Sequence, residues 1–491
     1  MSLHLRDEDA EFEAKKAIKL SPNSIEAHCG LAQIFLVHKQ YALAAENFGF
    51  AWRIDPTNIR AATGLINARL AICDWRDYDV IVECIRDAIT KHNPEIVALG
   101  AFGALSLPFS QHELSIVAKM RASILLKDVL SHHSPQSIKP KPRTTTKIRI
   151  GFLSNDFRDH PVGHLISALF SSRKSSEIEK YAYSTGTDDN SIYRRCVEEG
   201  ADKFIDLRRD GHLSADVAAD LISADSIDIL VDLGGLVQGA RPDIIARRPA
   251  PLSVAWLGFP GTTGGLHDYM IVGPELITSS ERSNFTESLL TLPLGWMIPD
   301  PSHACTVNNI LRQNAEFPDS GPVLYCFNSA HKIEPKVFAL WMRILARVPE
   351  AVFWFRVGDE AFSNLQSAAS HAEIDPQRLI NAPRIPKKAE HLARHACADL
   401  FLDTLVFNAH STALDALWAN VPIISCPGET FQSRVVAAVL RAATIDDFIV
   451  TNIFDYEEKV VELCQSPILL AELKTRLAFT FILPNFRQFH L

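Results

Sequence analysis

Between two apolar runs, ADLFLD and VPIIS, the chain carries His410-Ser411-Thr412 where a helical pattern begins. A helix N-terminus presents unpaired N–H groups and the positive end of a dipole, and hydroxyls beside it add donors. An anion such as a phosphate can be held there. Ser411 or Thr412 acting as an ordinary N-cap accounts for the same residues. Asp415 lies one turn further along the same face and can accept from ribose hydroxyls. Lys332, in CFNSAHKIEP, falls between a strand pattern and a helix whose first turn holds Pro335. An ammonium at such a point can neutralise a departing diphosphate; a surface lysine is the plain alternative.

Lys388, His391 and Arg394 recur at three-residue steps and share one helix face directly after the strand pattern RLINA. That face is either a solvated charged surface or the rim of a cleft. In GFLSNDFRDHPVGH, Asp156 and His160 follow a strand end, where a carboxylate and an imidazole can move a proton. His160 and His164 have the four-residue spacing of a metal pair, but Pro161 intervenes and no HExxH glutamate accompanies them, so metal is set aside. In WLGFPGTTGG, Gly261 and Thr262 sit in a turn where backbone N–H groups can approach sugar or phosphate oxygens, although a simple Pro-Gly turn has the same letters.

Such residues need rigid elements beneath them, and 491 residues suffice for two or three domains. With 47% apolar and 22% charged residues the chain reads as soluble and globular. A formal charge of -9 argues against a general nucleic-acid binder. Nine cysteines without a CxxC or regular spacing fit a reducing interior. The opening MSLHLRDEDAEFEAKK is charged and has no apolar secretory core, and the uncharged run 96–111 is too short to span a bilayer. The expectation is a cytoplasmic protein without a membrane span.

Ser21-Pro22-Asn23 and Asp55-Pro56-Thr57 stand 34 residues apart around two amphipathic stretches, the period of tetratricopeptide repeats. Ala27, Gly30, Ala32 and Ala44 fall where two helices would pack closely. So few repeats form only a fragment of a solenoid and must lean on the remainder of the chain. The repeats are expected over 1–93, a helical linker over 94–146, and strand-helix alternation from 147 onward. A Pro- and Asn-containing interruption (301–320) divides two α/β lobes, 147–300 and 321–491. Strand-helix alternation implies parallel doubly wound sheets, with ligands at the carboxyl ends of the strands.

Taken in order behind the repeats, SNDFRDHPVGH, RPAPLSVAWLGFPGTTG, CFNSAHKIEP, CADLFLDTLVFNAHSTALDALWANVPII and PGETFQSRV resemble the O-GlcNAc transferase/SPINDLY family, glycosyltransferase family 41, in a bacterial-type form. The resemblance extends over roughly residues 10–480 and includes INARLAICDWRDYD. It implies a GT-B fold, two Rossmann-like lobes behind an all-α repeat region. It also implies an inverting, metal-independent enzyme, without cofactor, that moves a sugar from a nucleotide donor to protein Ser/Thr hydroxyls. UDP-GlcNAc is the first donor expected, with GDP-fucose as in SPINDLY-type members the alternative. A catalytically impaired repeat protein that only binds partners is the alternative from another class. Protein or peptide acceptors are the implied partners, and the repeats leave room for an oligomer.

Residue by residue, the resemblance makes Lys332 the diphosphate-binding lysine and His410-Ser411-Thr412 the phosphate loop. Asp415 becomes the ribose-binding aspartate, and Lys388, His391 and Arg394 the residues around the nucleobase. His160 matches a histidine proposed as general base and Asp156 an aspartate considered for proton shuttling; Gly261 and Thr262 fall on the sugar and acceptor side. The two D-x-D pairs, Asp7/Asp9 and Asp77/Asp79, lie in the helical N-terminal region, away from any catalytic strand end. Val162 departs from the animal enzymes while HPVGH resembles the bacterial version, Ser329 and His331 depart from the usual family residues, and the final helix that packs back on the lobes reads as missing or shortened at FILPNFRQFHL.

Overall fold

The computed structural model describes residues 3–132, 146–171, 175–208, 213–293, 295–297, 317 and 321–482. Five helices open it: α1 (Leu3–Leu20), α2 (Ile25–Val37), α3 (Tyr41–Ile54), α4 (Ile59–Ala71) and α5 (Tyr78–Thr90). Ser24 and Asn58, at equivalent points of the repeat, each cap a helix by accepting from the N–H three residues on. Gly64 lets α4 close on α3, since a Cβ there would lie 2.3 Å from the Phe48 ring. Ala32 and Ala44 are buried between helices as expected. Gly30 is not at a close contact, because the space beside it is open.

The expected linker is largely a packed element. Residues 94–132 form a 3-10 turn (Pro94–Leu99), α6 (Ala101–Ala104) and α7 (Gln111–His132). Leu105, Leu107, Leu114 and Val117 from this segment share one core with Leu65 and Ile66 of the repeats and Leu230 and Ile244 of the first lobe. The repeats thus lean on the first lobe through continuous apolar contact. Residues 133–145 of that expectation lie outside the described residues.

The first lobe alternates β1 (Ile148–Ser154), α8 (Pro161–Ser171), β2 (Ile178–Ser184), α9 (Ile192–Gly200), β3 (Lys203–Asp206), α10 (Ala215–Ala224), β4 (Ile229–Asp232), α11 (Pro242–Ala246), β5 (Leu252–Ala255), β6 (Tyr269–Val272) and β7 (Ser288–Thr291). All seven strands run parallel in the order β3-β2-β1-β4-β5-β6-β7. The outer strands β3 and β7 are mostly half-buried or exposed, so neither carries the apolar run that betrays a central parallel strand.

The second lobe runs β8 (Val323–Cys326), α12 (Pro335–Arg347), β9 (Val352–Phe355), α13 (Asp359–His371), β10 (Leu379–Asn381), α14 (Lys388–His395), β11 (Leu400–Leu402), α15 (Ser411–Trp418), β12 (Ile423–Ile424), α16 (Val435–Ala442), α17 (Ile453–Gln465) and α18 (Pro467–Ile482). Its parallel sheet is ordered β10-β9-β8-β11-β12 around a core that includes Tyr325, Trp341, Phe353, Phe355 and Tyr456. The architecture is the two-lobed GT-B fold behind helical repeats. Leu414, Phe431 and Val435 of the second lobe enter the core of the first beside Trp256 and Trp296, and Arg434 pairs with Glu281 across the same seam. Apart from Phe317, the expected inter-lobe linker (301–320) lies outside the described residues.

The last described helix, α18, packs Leu473 and Leu477 into the second-lobe core, and Lys474 pairs with Asp399 at 3.0 Å. That helix extends to Ile482 and closes the lobe; the stretch where the final helix was expected to be missing or shortened, from 483 on, lies outside the described residues.

Candidate active site

In the second lobe the chain winds outward from β8 in both directions, so β8 and β11 are neighbours whose connections leave on opposite sides. Crevices at such switch points, beyond the carboxyl ends of the strands, collect ligands. The loop after β8 supplies Asn328 and Lys332; the loop after β11 supplies residues 403–410 and leads into Ser411 and Thr412 of α15.

One polar network knots these loops together. Lys332 Nζ donates to the Asn408 carbonyl at 2.8 Å and lies 3.8 Å from the centre of the Phe407 ring. The Asn408 amide donates to the Thr404 carbonyl at 2.6 Å, and Thr404 Oγ1 donates to the Phe407 carbonyl. Asn328 donates to Thr404 Oγ1 at 2.8 Å and accepts from Thr412 Oγ1 at 2.7 Å. Beneath them, buried Asp403 accepts from the N–H groups of Thr404 and Ala409 through one oxygen and from Ser425 through the other. Burial pushes the Asp403 carboxyl up to about 7. Burial also lowers the Lys332 ammonium to about 7, against the pull of Asp403.

His410-Ser411-Thr412 opens α15 without a side-chain cap. His410 holds the N-cap position, but its Nε2 lies 3.4 Å from the Gln432 carbonyl and its ring stands edge-on to Trp296. Burial keeps the imidazole well below its usual pKa. Thr412 is bonded to Asn328, so neither hydroxyl serves as the N-cap that the sequence allowed. The first-turn N–H groups carry no capping side chain, which is the condition for anion capture at a helix start.

The face predicted on α14 is real, and its members contact one another's neighbours. Lys388 Nζ bonds both Asp415 oxygens at 2.7 Å. Arg394 donates to His391 Nδ1 and to the Pro383 carbonyl and lies over the Phe327 ring, on which His391 also stacks. Burial, with Arg394 and Lys388 adding to it, pushes His391 down to about 3. Its ring is neutral, and because Nδ1 accepts from Arg394, the proton resides on Nε2. His391, His395 and Asp415 bring ligand-capable atoms within 4.8 Å of one another. The Asp415 carboxylate is already answered by an ammonium and His391 by a guanidinium, so this charge set does not suit a metal ion.

Across the cleft, His160 immediately precedes α8. Its Nδ1 lies 3.3 Å from the Val162 N–H and 3.5 Å from Asp156 Oδ2. Asp156 is buried and also bonded by Arg158. His164 pairs instead with Asp159 at 2.7 Å, so the two histidines serve different carboxylates and form no ligand pair. Burial, with Lys388 adding to it, brings His164 down to about 4. Gly261 and Thr262 correct the sequence expectation of a substrate-facing turn. Gly261 faces Phe259 and Leu105, while Thr262 is buried with its hydroxyl donating to Glu287 at 2.8 Å. Glu287 also receives the Thr263 N–H and hydroxyl, and this inward network sets the turn.

Sequence reasoning did not assign Asn328, Asp403, Thr404, Phe407 or Asn408. Their signal was the abrupt end of an apolar run at a carboxylate, LFLDT, beside an Asn-containing loop, a combination that also describes many plain strand ends.

The family profile described as Glycosyl transferase family 41 matches residues 72–310 and 302–482. The probable UDP-N-acetylglucosamine–peptide N-acetylglucosaminyltransferase SEC of Arabidopsis thaliana is 32% identical over 327 residues, covering 65% of this chain and 33% of the relative. The UDP-N-acetylglucosamine–peptide N-acetylglucosaminyltransferase of Caenorhabditis elegans is 24% identical over 535 residues, covering 82% and 45%. The chain thus spans a third to under half the length of these curated relatives. The solved structure of a mutant Thermobaculum terrenum O-GlcNAc transferase superposes with a TM-score of 0.74 at 23% identity, over 98% of this chain and 90% of that one. With that fold and a profile match from the repeat junction to α18, the chain belongs to glycosyl transferase family 41.

Proposed function

We propose that this chain transfers N-acetylglucosamine from UDP-GlcNAc to serine or threonine hydroxyls of proteins, with inversion and without a metal ion. The observation that carries the reading is the knot of Lys332, Asn408, Asn328 and Thr412 beneath the uncapped start of α15. There, negative charge on a departing diphosphate would meet an ammonium, a helix N-terminus and the Ser411 hydroxyl together, with Thr412 holding the loop through Asn328. The Arabidopsis and Caenorhabditis relatives, both named UDP-N-acetylglucosamine–peptide transferases, support the choice of donor.

His391 and Arg394, backed by the buried Phe327 ring, would border the nucleobase, and Asp415 would exchange Lys388 for ribose hydroxyls. His160 would take the acceptor proton at Nε2 once its Nδ1, which accepts from the Val162 N–H here, turns to donate to Asp156, and burial, which lowers its pKa, keeps it neutral for that role. The acceptor oxygen would then bond to the anomeric carbon on the face opposite the breaking bond to phosphate. A cavity of about 790 Å³ leads inward between α2, α4, residues 97–106 and the 236–240 loop to His331, the neighbour of Lys332, and suits an extended peptide segment.

Differential thermal stabilisation tests the donor class. Saturating UDP at a hundred times its Kd should stabilise the chain by about 2.7 kcal/mol while GDP does little. A response to GDP alone would reassign the donor, and no response to either would leave a partner-binding protein. Transfer of radiolabelled sugar should persist in EDTA; its loss there would defeat the metal-free mechanism.

A further inference from the structure

Lys332 sits on a single 3-10 turn, Ala330–Lys332, whose carbonyl edge is not held by the second lobe alone. Trp75 Nε1 donates to the Ile333 carbonyl at 3.2 Å, and Cys73 Sγ lies 3.7 Å from the Ala330 carbonyl. Both residues come from the connection between α4 and α5, some 260 positions earlier in the chain. That connection is built for insertion. Cys73 takes a left-handed backbone conformation (φ 51°), rare for a side chain of its kind, which turns the chain sharply off the end of α4. Asp74 then binds Arg76 through its side chain and backbone N–H and faces Arg69 at 3.5 Å. Cys73 is buried in the second-lobe core, the Trp75 ring packs on Phe338 of α12 at 5.1 Å, and Asn364 of α13 donates to the Ile72 carbonyl at 2.8 Å. A second contact approaches from the same side: Phe102, just after the repeats, lies edge-on to both His331 and Phe407, the residues flanking the Lys332 ammonium.

We propose that the repeat region is part of the donor site, with Trp75 a positioning residue that fixes the turn carrying Lys332 against the diphosphate. The inference rests on the reading of Lys332 as the diphosphate cation and adds to it that the repeats, not only the lobe, set that cation's place. Loss of the indole N–H frees the Ile333 carbonyl and lets the turn rotate, withdrawing the ammonium from the phosphates while leaving the nucleoside pocket on α14 as it is. Strain on α4 would reach the phosphate subsite along the same path.

The test uses the full chain and two probes, UDP and uridine, with affinities measured by titration calorimetry. Trp75→Phe keeps the aromatic packing on Phe338 and removes the donor. It should weaken UDP at least fivefold and leave uridine within twofold. Equal UDP affinity in variant and parent overturns the proposal, and so does an equal loss for both probes, which would mark a merely structural role. Should Trp75→Phe not fold, Asn364→Ala loosens the same connection from α13 and is expected to give the same UDP-selective loss at smaller size; no selectivity there overturns it as well. A parent chain that binds uridine but gains nothing from the diphosphate would instead sink the reading of Lys332, and the inference with it.

Discussion

Lys332 and Phe407 form an ammonium–ring contact of 3.8 Å in which the ring covers the cation on one side and the Asn408 carbonyl takes one of its protons on another. The charged and titratable groups around it are Asp403 at the end of β11, Cys326 at the end of β8, and the buried imidazoles of His331 and His410. Burial brings Lys332 down to about 7, so the group is an ammonium below that pH and increasingly an amine above it. UDP affinity should therefore be greatest near pH 6 and fall toward pH 8.5, while uridine affinity stays flat. Calorimetric titrations across that range check the expectation, and a Lys332→Met chain should show no such slope.

Lys332→Ala should reduce sugar transfer by about 10²–10³-fold, the usual cost of removing one group that stabilises charge in a transition state. Turnover with labelled donor, alongside an unchanged melting temperature, would establish the effect as chemical. Transfer near the parental rate would show that charge on the leaving group is met elsewhere.

Asp403 touches no substrate in this reading but holds Thr404, Ala409 and Ser425 together. Asp403→Asn places an amide where acceptor oxygens are required and should cost about 1–3 kcal/mol of stability. Chemical denaturation measures that loss. Weaker UDP binding should accompany it, since the 404–409 loop carries the Asn408 carbonyl.

Thr262 separates a substrate role from a structural one. With its hydroxyl donating inward to Glu287, Thr262→Val should lower stability by about 1 kcal/mol or more and leave donor KM unchanged. A donor KM raised tenfold at unchanged stability would restore the substrate-facing turn expected from the sequence.

Glu281 and Arg434 join the lobes through a paired, mostly buried contact. Glu281→Gln leaves the guanidinium without its counter-charge and should open the cleft, giving faster proteolysis between the lobes and a lower melting temperature. Saturating UDP should reverse part of that loss by holding the lobes together.

Much of this molecule is written locally. The caps at Ser24 and Asn58 and the alternation of apolar runs with helical patterns fix the repeats and most of the two sheets, because hydrogen bonding and burial of a single element depend on its own residues. Lys332, the α14 face and the start of α15 were legible for the same reason: parallel sheets deliver ligands to strand ends, and these residues lie just beyond strand ends. The strands β3 and β7 were not, since strands at the sheet margin need no apolar run, and Thr262 was misread because a turn's letters do not say which side of it is buried. Long-range choices belong to the tertiary structure alone. That Asp415 faces Lys388, that Asp403 underpins the 404–409 loop, and that Trp75 reaches the turn of Lys332 all depend on which elements come to rest together. Sequence spacing fixes neighbours along one element; only packing decides which donor meets which acceptor across 260 residues of chain.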